Sequence, residues 1–364
     1  MGNSFWAFLH AVRYIFFCCP KPSQMAHQKK DAAAIVNAKS NLNQKSFNSV
    51  TSAFSVVKKQ TTQFSALWEN LRFLCGKKNV IFITLSLLLL SSTFLLAQQK
   101  KDFKVAVIDL MILKRQKISA ISLAAELKAD GLEIDMGGLG DRETFDNKLS
   151  NDSTRLAYIA KAKELNIQFS SLAMTGFYAQ SFAERPTWQK MIADCLSTAK
   201  AMNIKVVFLP LGVKGDLVKN PELRPAIVER LKIAGKMAQK AGLIIGIETS
   251  LDAQGEKELL EDIYSKNIKS YFNFSNPLKA GRDLHQELKT LGKKYICQIH
   301  CTDEDGVWLQ NNTRLNMVRV KQTLEEMKWK GWLVIERSRD ATQPSNVKAN
   351  FGANTAYLKK IFQN

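Results

Sequence analysis

From Phe103 to the C-terminus, eight short apolar segments alternate with eight longer segments of helical periodicity. The apolar segments are rich in β-branched residues, as strands buried on both faces are. They span 105–112, 131–136, 169–174, 206–211, 243–249, 270–276, 295–302 and 332–337. The helical segments span 119–129, 152–166, 186–203, 222–241, 255–267, 283–292, 316–330 and 349–362. Eight such units predict an α/β fold, a closed (β/α)8 TIM barrel over residues 103–364, rather than an open doubly wound sheet.

Residues at the expected helix ends agree with this alternation. Asp152 or Ser153 is suited to begin the second helix, because a short polar side chain can accept a hydrogen bond from the first turn. Gly242 follows the fourth helix and Gly331 follows the seventh, where glycine is favoured because it adopts positive φ without strain. We therefore expect helices to start or stop at these positions.

The front of the chain has a different composition. Its first 101 residues hold 13 Lys or Arg against two acidic residues, Asp31 and Glu69. Residues 1–76 are rich in Ser, Asn, Gln and Lys and lack an apolar period, which is typical of a disordered extension. Residues 77–97 start with two Lys and continue as an apolar run. This pattern predicts a secretory signal peptide or a signal-anchor helix.

Two interpretations of this front part stay open. Either the start of the chain is assigned too early, or residues 1–76 form a basic cytoplasmic tail before an anchor, as the positive-inside rule favours. Both predict an exported barrel, periplasmic or anchored on the outer side of the inner membrane. Contact with the membrane is expected only through residues 80–97, if they are not cleaved.

Several classes of site are excluded by the sequence. No GxGxxG string follows the first strand and no Walker A string occurs, so a nucleotide site is not expected. The six Cys residues do not form two CxxC pairs at zinc-site spacing. Lys232, Lys236 and Lys240 recur at the spacing of a solvated helix face, and we expect no nucleic-acid partner.

Four strings place a polar residue where an apolar strand ends. They are GIET, FNFSN, QIHCTD and VIERS, and the residues at the boundary are Glu248, Asn273, His300 and Glu336. Because the C-terminal ends of barrel strands meet at one mouth, these side chains are expected to form one site. Two carboxylates and an imidazole suit a divalent metal ion such as Mn or Zn.

These strings, in this order on strands five to eight, resemble the xylose isomerase-like TIM barrels. That family includes sugar phosphate isomerases/epimerases and the D-tagatose 3-epimerase type. The string DGLEIDMG also matches the second strand of the family, with Glu133 at its recurrent acidic position. The resemblance covers about residues 103–364.

The resemblance implies a metal held by Glu248, Asn273, His300 and Glu336, with Asn273 where the family has Asp. It also implies that Glu248 and Glu336 are the catalytic acid and base. The expected function is that of an exported sugar isomerase or epimerase, acting on a carbohydrate or keto-sugar by metal-assisted proton transfer through an enediolate. One divalent ion, Mn or Zn, is the expected cofactor.

Further residues near the strand ends are candidates for contact with a small carbohydrate substrate. They are Glu133, Phe177, Asn276, Trp308 and Arg337. The alternative function is a non-catalytic carbohydrate-binding barrel with a degraded metal site, which the neutral Asn273 favours. A glycosidase would also use two carboxyl groups in a barrel, but the neighbouring His300 favours a metal site.

Overall fold

The structure is a computed structural model that describes residues 101–140 and 142–363. Lys100–Asn364 forms one compact unit. The predicted extension (1–76) and the predicted signal peptide or anchor (77–97) lie outside the described residues. In the part of the chain that is described, no helix is both long enough and apolar enough to cross a bilayer.

Within the described residues, eight parallel strands close into a barrel in chain order, and the last strand pairs with the first. The strands are β1 (Phe103–Ile108), β2 (Gly131–Asp135), β3 (Gln168–Ala173), β4 (Val206–Pro210), β5 (Ile244–Glu248), β6 (Ile268–Asn273), β7 (Ile296–His300) and β8 (Gly331–Ile335). The closed barrel confirms the predicted fold class and rules out the open sheet.

Helices follow the strands throughout the described region. They are α1 (Ser119–Glu126), α2 (Asp152–Glu164), α3 (Trp188–Ala201), α4 (Arg224–Ala241), α5 (Ala253–Ile263), α6 (Ser275–Lys279), α7 (Leu284–Tyr295), α8 (Met317–Glu326) and α9 (Val347–Phe362). All eight predicted helices are present, and the short α6 is an addition that the sequence pattern did not predict.

The strands lie between two apolar layers. Because both faces of each strand are buried, the strand sequences are continuous apolar runs. Ala106 and Ile108 of β1 lie inside the barrel with Phe208, whereas Val105 and Val107 pack outward in the core shared with the helices. Alternate residues of a strand point to opposite faces, so each strand serves both layers. The same alternation decides which residues can reach the mouth.

Some strands end earlier than the sequence predicts. β1 stops at Ile108 because Asp109 opens a turn, in which the Lys114 backbone N–H donates to the Asp109 carbonyl at 2.8 Å. β6 stops at Asn273 because Ser275 begins α6. The residue at each strand end is consequently held by the loop that follows it as well as by the barrel.

The expected helix ends are partly confirmed. Gly242 follows α4 with φ of 73°, in the left-handed conformation that glycine favours. The cap of α2 was predicted one or two residues too late. Asn151, rather than Asp152 or Ser153, accepts the hydrogen bond from the Thr154 backbone N–H. Asn151 has the extended backbone that an N-cap requires, whereas Asp152 is already helical.

The prediction for Gly331 was wrong. Gly331 is the first residue of β8, and Lys328 takes the left-handed position after α8 with φ of 53°. A Cβ on Gly331 would lie 2.8 Å from the Trp329 ring, closer than real Cβ contacts come. The glycine is needed for this close approach and not for ending a helix.

Glu256 in α5 makes the stability of the fold depend on pH. Its side chain is buried and accepts a hydrogen bond from the Thr249 hydroxyl at 3.1 Å. Burial raises the pKa of Glu256 from 4.5 to about 7, so the folded protein holds a proton that the unfolded chain releases between these values. The free energy of unfolding therefore falls as pH rises from 4.5 through 7.

We predict that Glu256→Gln stabilises the protein at pH 8 by roughly 2–3 kcal/mol and has little effect at pH 4.5. Urea unfolding of both proteins at the two pH values measures this difference. Glu258→Gln, on the exposed face of the same helix, is the matched control. An equal stability change at both pH values would show that Glu256 is ionised alike in the folded and unfolded chains.

Candidate active site

The four strand-end residues predicted from the sequence meet at the mouth of the barrel. The Asn273 amide nitrogen donates to Glu248 Oε2 and to Glu336 Oε2, at 3.1 Å in each case. The His300 Nδ1 atom lies 3.2 Å from Glu248 Oε2 and 3.9 Å from Glu336 Oε2. The Glu248 and Glu336 side chains are 8% and 13% exposed, so both carboxyl groups are largely buried.

Glu133 forms a second layer beneath this group. It is fully buried, and its Oε1 lies 3.2 Å from His300 Nε2. Its Oε2 accepts hydrogen bonds from the Ser171 hydroxyl at 2.6 Å and the Tyr271 hydroxyl at 2.5 Å. Glu133, predicted to contact substrate, lies directly against His300 and positions its ring.

Opposite charges hold this buried pair in its ionised form. Burial alone would lower the pKa of His300, but the charges of Glu133 and Glu336 and the hydrogen bonds that the ring donates to Glu133 and Glu248 raise it well above its usual value. Burial would raise the pKa of Glu133, but the charge of His300 and the hydrogen bonds lower it. Burial also raises the pKa of Glu336, against the opposing effect of His300. The ring of His300 is therefore an imidazolium with carboxyl groups on both sides.

Gln298 completes the network inside the barrel. Its amide nitrogen donates to the Ser171 hydroxyl at 2.7 Å and to the Tyr271 hydroxyl at 2.8 Å, and both hydroxyls donate in turn to Glu133. The sequence interpretation missed these residues because they lie within apolar strands. A signal was present, since Tyr271 and Gln298 each precede a strand-end residue by two positions and so share its face.

Aromatic rings close the floor of the site. The Tyr271 and His300 rings lie 4.5 Å apart between centroids, and Phe208 lies 4.8 Å from His300. Gly246 of the GIET string makes room for this packing. A Cβ there would come within 2.9 Å of Tyr271 Cβ and 2.8 Å of Cys297 Sγ. The glycine is a steric requirement of the floor.

Two aromatic residues, Phe177 and Tyr178, follow β3. Tyr178 faces the site, whereas Phe177 was the predicted contact residue. Phe177 is 1% exposed and packs edge to face against Phe145 and Phe182, away from the carboxyl groups. The Tyr178 hydroxyl instead donates to Glu248 Oε1 at 3.2 Å. Both residues lie in a 3-10 turn, where strand alternation does not fix the direction of a side chain.

The other predicted contact residues have structural partners around the mouth. The Asn276 amide donates to the Thr249 carbonyl at 2.9 Å. The Trp308 indole N–H donates to Asn350 at 2.8 Å. The backbone N–H of Arg337 donates to the Thr302 hydroxyl at 3.0 Å. These bonds fix the loops that surround the four strand-end residues.

The ends of β1 and β2 carry a second acidic pair that the sequence interpretation did not identify. Asp109 Oδ1 accepts from the Asp135 backbone N–H at 2.9 Å, and Asp135 Oδ1 lies 3.0 Å from Arg115 Nε. Burial and the charge of Asp135 raise the pKa of Asp109 well above its usual value. The pair fixes the loops after β1 and β2 and lies apart from the Glu248–Glu336 group.

The arrangement of the four residues does not fit a divalent metal ion. Asn273 turns its NH2 group, which has no lone pair for a metal, toward the carboxyl groups. Both nitrogens of His300 are engaged with carboxylates. In the described part of the chain, no group of three or more His, Cys, Asp or Glu side chains is arranged to hold a metal.

A large outer cavity of about 980 Å³, between α1 and α9, contains none of the strand-end residues.

Comparison with known proteins relates this barrel to sugar-converting enzymes. A family model described as "Xylose isomerase-like TIM barrel" matches residues 121–361, well over half of the chain. A 2-epi-5-epi-valiolone 7-phosphate 2-epimerase from an Actinoplanes species is 23% identical over 186 residues, covering 51% of this chain and 67% of that protein.

Solved structures give the same picture of the fold. A 3-keto-D-glucoside 4-epimerase from E. coli has a TM-score of 0.55 at 16% identity, covering 71% of this chain and 99% of that one. A D-allulose 3-epimerase from Methylomonas sp., in complex with D-allulose, has a TM-score of 0.55 at 13% identity, covering 72% and 98%. At these identities the likeness shows the shared fold.

Proposed function

Because this chain belongs to the xylose isomerase-like TIM barrel family, we propose that it is a sugar isomerase or epimerase acting on a carbohydrate or keto-sugar. One observation carries the proposal: Glu248 and Glu336 share the amide of a single residue, Asn273, at 3.1 Å each. Two carboxyl groups at one point of the mouth suit the transfer of a proton from one to the other through the substrate.

The proposed reaction begins at a carbon beside a carbonyl group. One carboxylate takes the proton from this carbon, and the electron pair of the C–H bond moves into an enediolate. The other carboxyl group then returns a proton, to the opposite face for epimerisation or to the neighbouring carbon for isomerisation. Glu336, whose pKa is raised by burial, is suited to hold the proton that is returned, and Glu248 is the other carboxyl group of the pair. The imidazolium of His300 provides a fixed positive charge near the developing oxyanion.

Mn or Zn, which the resemblance implies, would supply Lewis-acid stabilisation of the oxyanion. Asn273 and His300 do not offer such an ion free lone pairs, so the two carboxyl groups and the imidazolium perform the proposed steps.

Two arginine side chains around the mouth are already paired with carboxylates, and this pairing favours an unphosphorylated substrate. In the loops after β7 and β8, Arg314 lies 2.7 Å from Asp303, and Arg339 lies 2.6 Å from Asp305. These guanidinium groups are already neutralised, so they do not form an open phosphate site. We therefore propose a neutral sugar, keto-sugar or cyclitol.

We also propose that the barrel is exported, because the apolar run at 80–97 is typical of a signal peptide or a signal anchor. A phosphatase reporter that is active only outside the cytoplasm, fused after Asn364, tests it. Activity of the fusion in intact cells supports export, and an inactive fusion of normal abundance contradicts it.

The non-catalytic carbohydrate-binding barrel is the second candidate, because Asn273 ties both carboxyl groups in one hydrogen-bonded cluster. Incubating the full chain with ketoses and 3-keto-glucosides in D2O separates the two functions by NMR. Deuterium entering beside the carbonyl, with formation of an epimer or isomer, supports the enzyme. Sugar binding without any exchange supports the binding protein.

A further inference from the structure

We infer that Asn273 makes this site independent of a divalent cation, because its amide group already occupies the position between the two carboxyl groups that a metal would need. The inference rests on the proposed function in taking Glu248 and Glu336 as the working carboxyl groups. It departs from the resemblance, which implies a metal held by these residues.

Ser275 fixes the Asn273 amide in this orientation. Asn273 Oδ1 accepts from the Ser275 backbone N–H and from its hydroxyl, each at 2.9 Å. A backbone N–H can only donate, so turning the amide over would point two donors at each other inside the protein. Buried donors without acceptors are costly, and the oxygen of Asn273 therefore stays with Ser275. The carboxyl groups are left facing an NH2 group.

The ring of His300 is also fixed in its orientation, like the Asn273 amide. Its Nε2 contacts Glu133 and its Nδ1 contacts Glu248, at 3.2 Å each. Glu133 is itself fixed by the hydroxyls of Ser171 and Tyr271. A metal could reach a ring nitrogen only if His300 gave up one of these two carboxylate partners.

An Asp at position 273 would behave differently, because it has two acceptor oxygens. One oxygen would keep the hydrogen bonds from Ser275, and the other would face Glu248 and Glu336. Like charges this close repel strongly, and a divalent cation is the natural means of relieving that repulsion. The substitution Asn273→Asp should therefore create a metal site that the natural residue prevents.

The test is a manganese titration of the full chain and of Asn273→Asp, both stripped of metal with a chelator. Calorimetry gives the affinity, and mass spectrometry after dialysis gives the ions per chain. We expect no stoichiometric binding by the natural chain and about one ion per chain in the variant. The affinity of the variant should be at least about 100-fold higher, and its Tm should rise with added MnCl2.

Asn276→Asp is the matched control. It adds the same charge three residues away, where the amide donates to the Thr249 carbonyl instead of to a carboxyl group. No gain of manganese binding in this control supports the inference. A gain equal to that of Asn273→Asp would overturn it, since added charge alone would then explain the effect.

Measurements on the natural chain test the inference even if Asn273→Asp does not fold without metal. One manganese ion bound per natural chain, or a Tm that rises with MnCl2 and falls with chelator, would overturn the inference. A natural chain that binds no manganese and exchanges deuterium supports both the inference and the proposed function. A natural chain that binds no manganese and exchanges no deuterium supports the inference and contradicts the enzyme. A natural chain that binds manganese and exchanges deuterium contradicts the inference and supports the enzyme.

Discussion

Replacing Glu336 with Gln is expected to lower kcat for epimerisation by at least about 1,000-fold. Gln keeps the size of the side chain and an oxygen for the Asn273 amide, which donates to Glu336 at 3.1 Å in the natural protein. It removes the group that carries the proton, so the chemistry should fail while the site keeps its shape. NMR measurement of epimer formation, together with circular dichroism of the folded variant, gives both results.

Glu248→Gln should have an effect of similar size, and the pair of variants tests how the proton is shared. Each variant loses one proton carrier and keeps the other. We expect each to exchange solvent deuterium into one epimer only, and the two variants to act on opposite epimers. Glu304→Gln, in the exposed loop after β7, is the control with unchanged turnover. If folded Glu336→Gln retained kcat within about tenfold of the natural protein, another group would have to transfer the proton.

Removal of Glu133 is expected to cause the largest loss of stability. Glu133→Ala would leave the buried His300 without the carboxylate that lies 3.2 Å from Nε2, and would leave the hydroxyls of Ser171 and Tyr271 without their acceptor. Breaking a buried ion pair from one side costs about 3–5 kcal/mol, because His300 Nε2 and the two hydroxyls lose their buried acceptor while Glu248 stays against Nδ1. Urea unfolding at pH 6 measures the loss.

The pH dependence of this loss follows from the two pKa shifts. The lowered pKa of Glu133 makes its contribution complete above 4.5, and the raised pKa of His300 makes its contribution complete below 6.5. The destabilisation by Glu133→Ala should be greatest between these values and should shrink as pH rises through the raised pKa of His300. Ser171→Ala, which removes one hydrogen bond to Glu133, should cost only about 1 kcal/mol. Equal losses in the two variants would contradict a buried ion pair.

The strand-end residues could be predicted because the barrel itself determines where they meet. Glu248, Asn273, His300 and Glu336 each end an apolar run, and closure of a parallel barrel brings such ends together without any knowledge of loops. The structure places all four side chains in contact at the mouth. Their position was accessible from the sequence because strand alternation and barrel closure are regular.

The contacts that decide the chemistry were not accessible in the same way. Whether Phe177 or Tyr178 faces Glu248 depends on a 3-10 turn, which has no strand period to follow. The direction of the Asn273 amide depends on Ser275, whose backbone N–H is free to donate only because α6 begins there. The cap of α2 was misplaced for a related reason, since Asn151, Asp152 and Ser153 are all good caps and their order alone does not choose among them.

The packed rings of Phe208, Tyr271 and His300 have a consequence for the time course of the reaction. Because they fill the space beneath His300, substrate and product must occupy the same position above the rings, beside Glu248 and Glu336. In the proposed reversible conversion between two sugars of almost the same shape, the accumulating product competes with substrate for that position. Progress curves should therefore slow well before equilibrium, and the enzyme should work best when a later reaction removes its product.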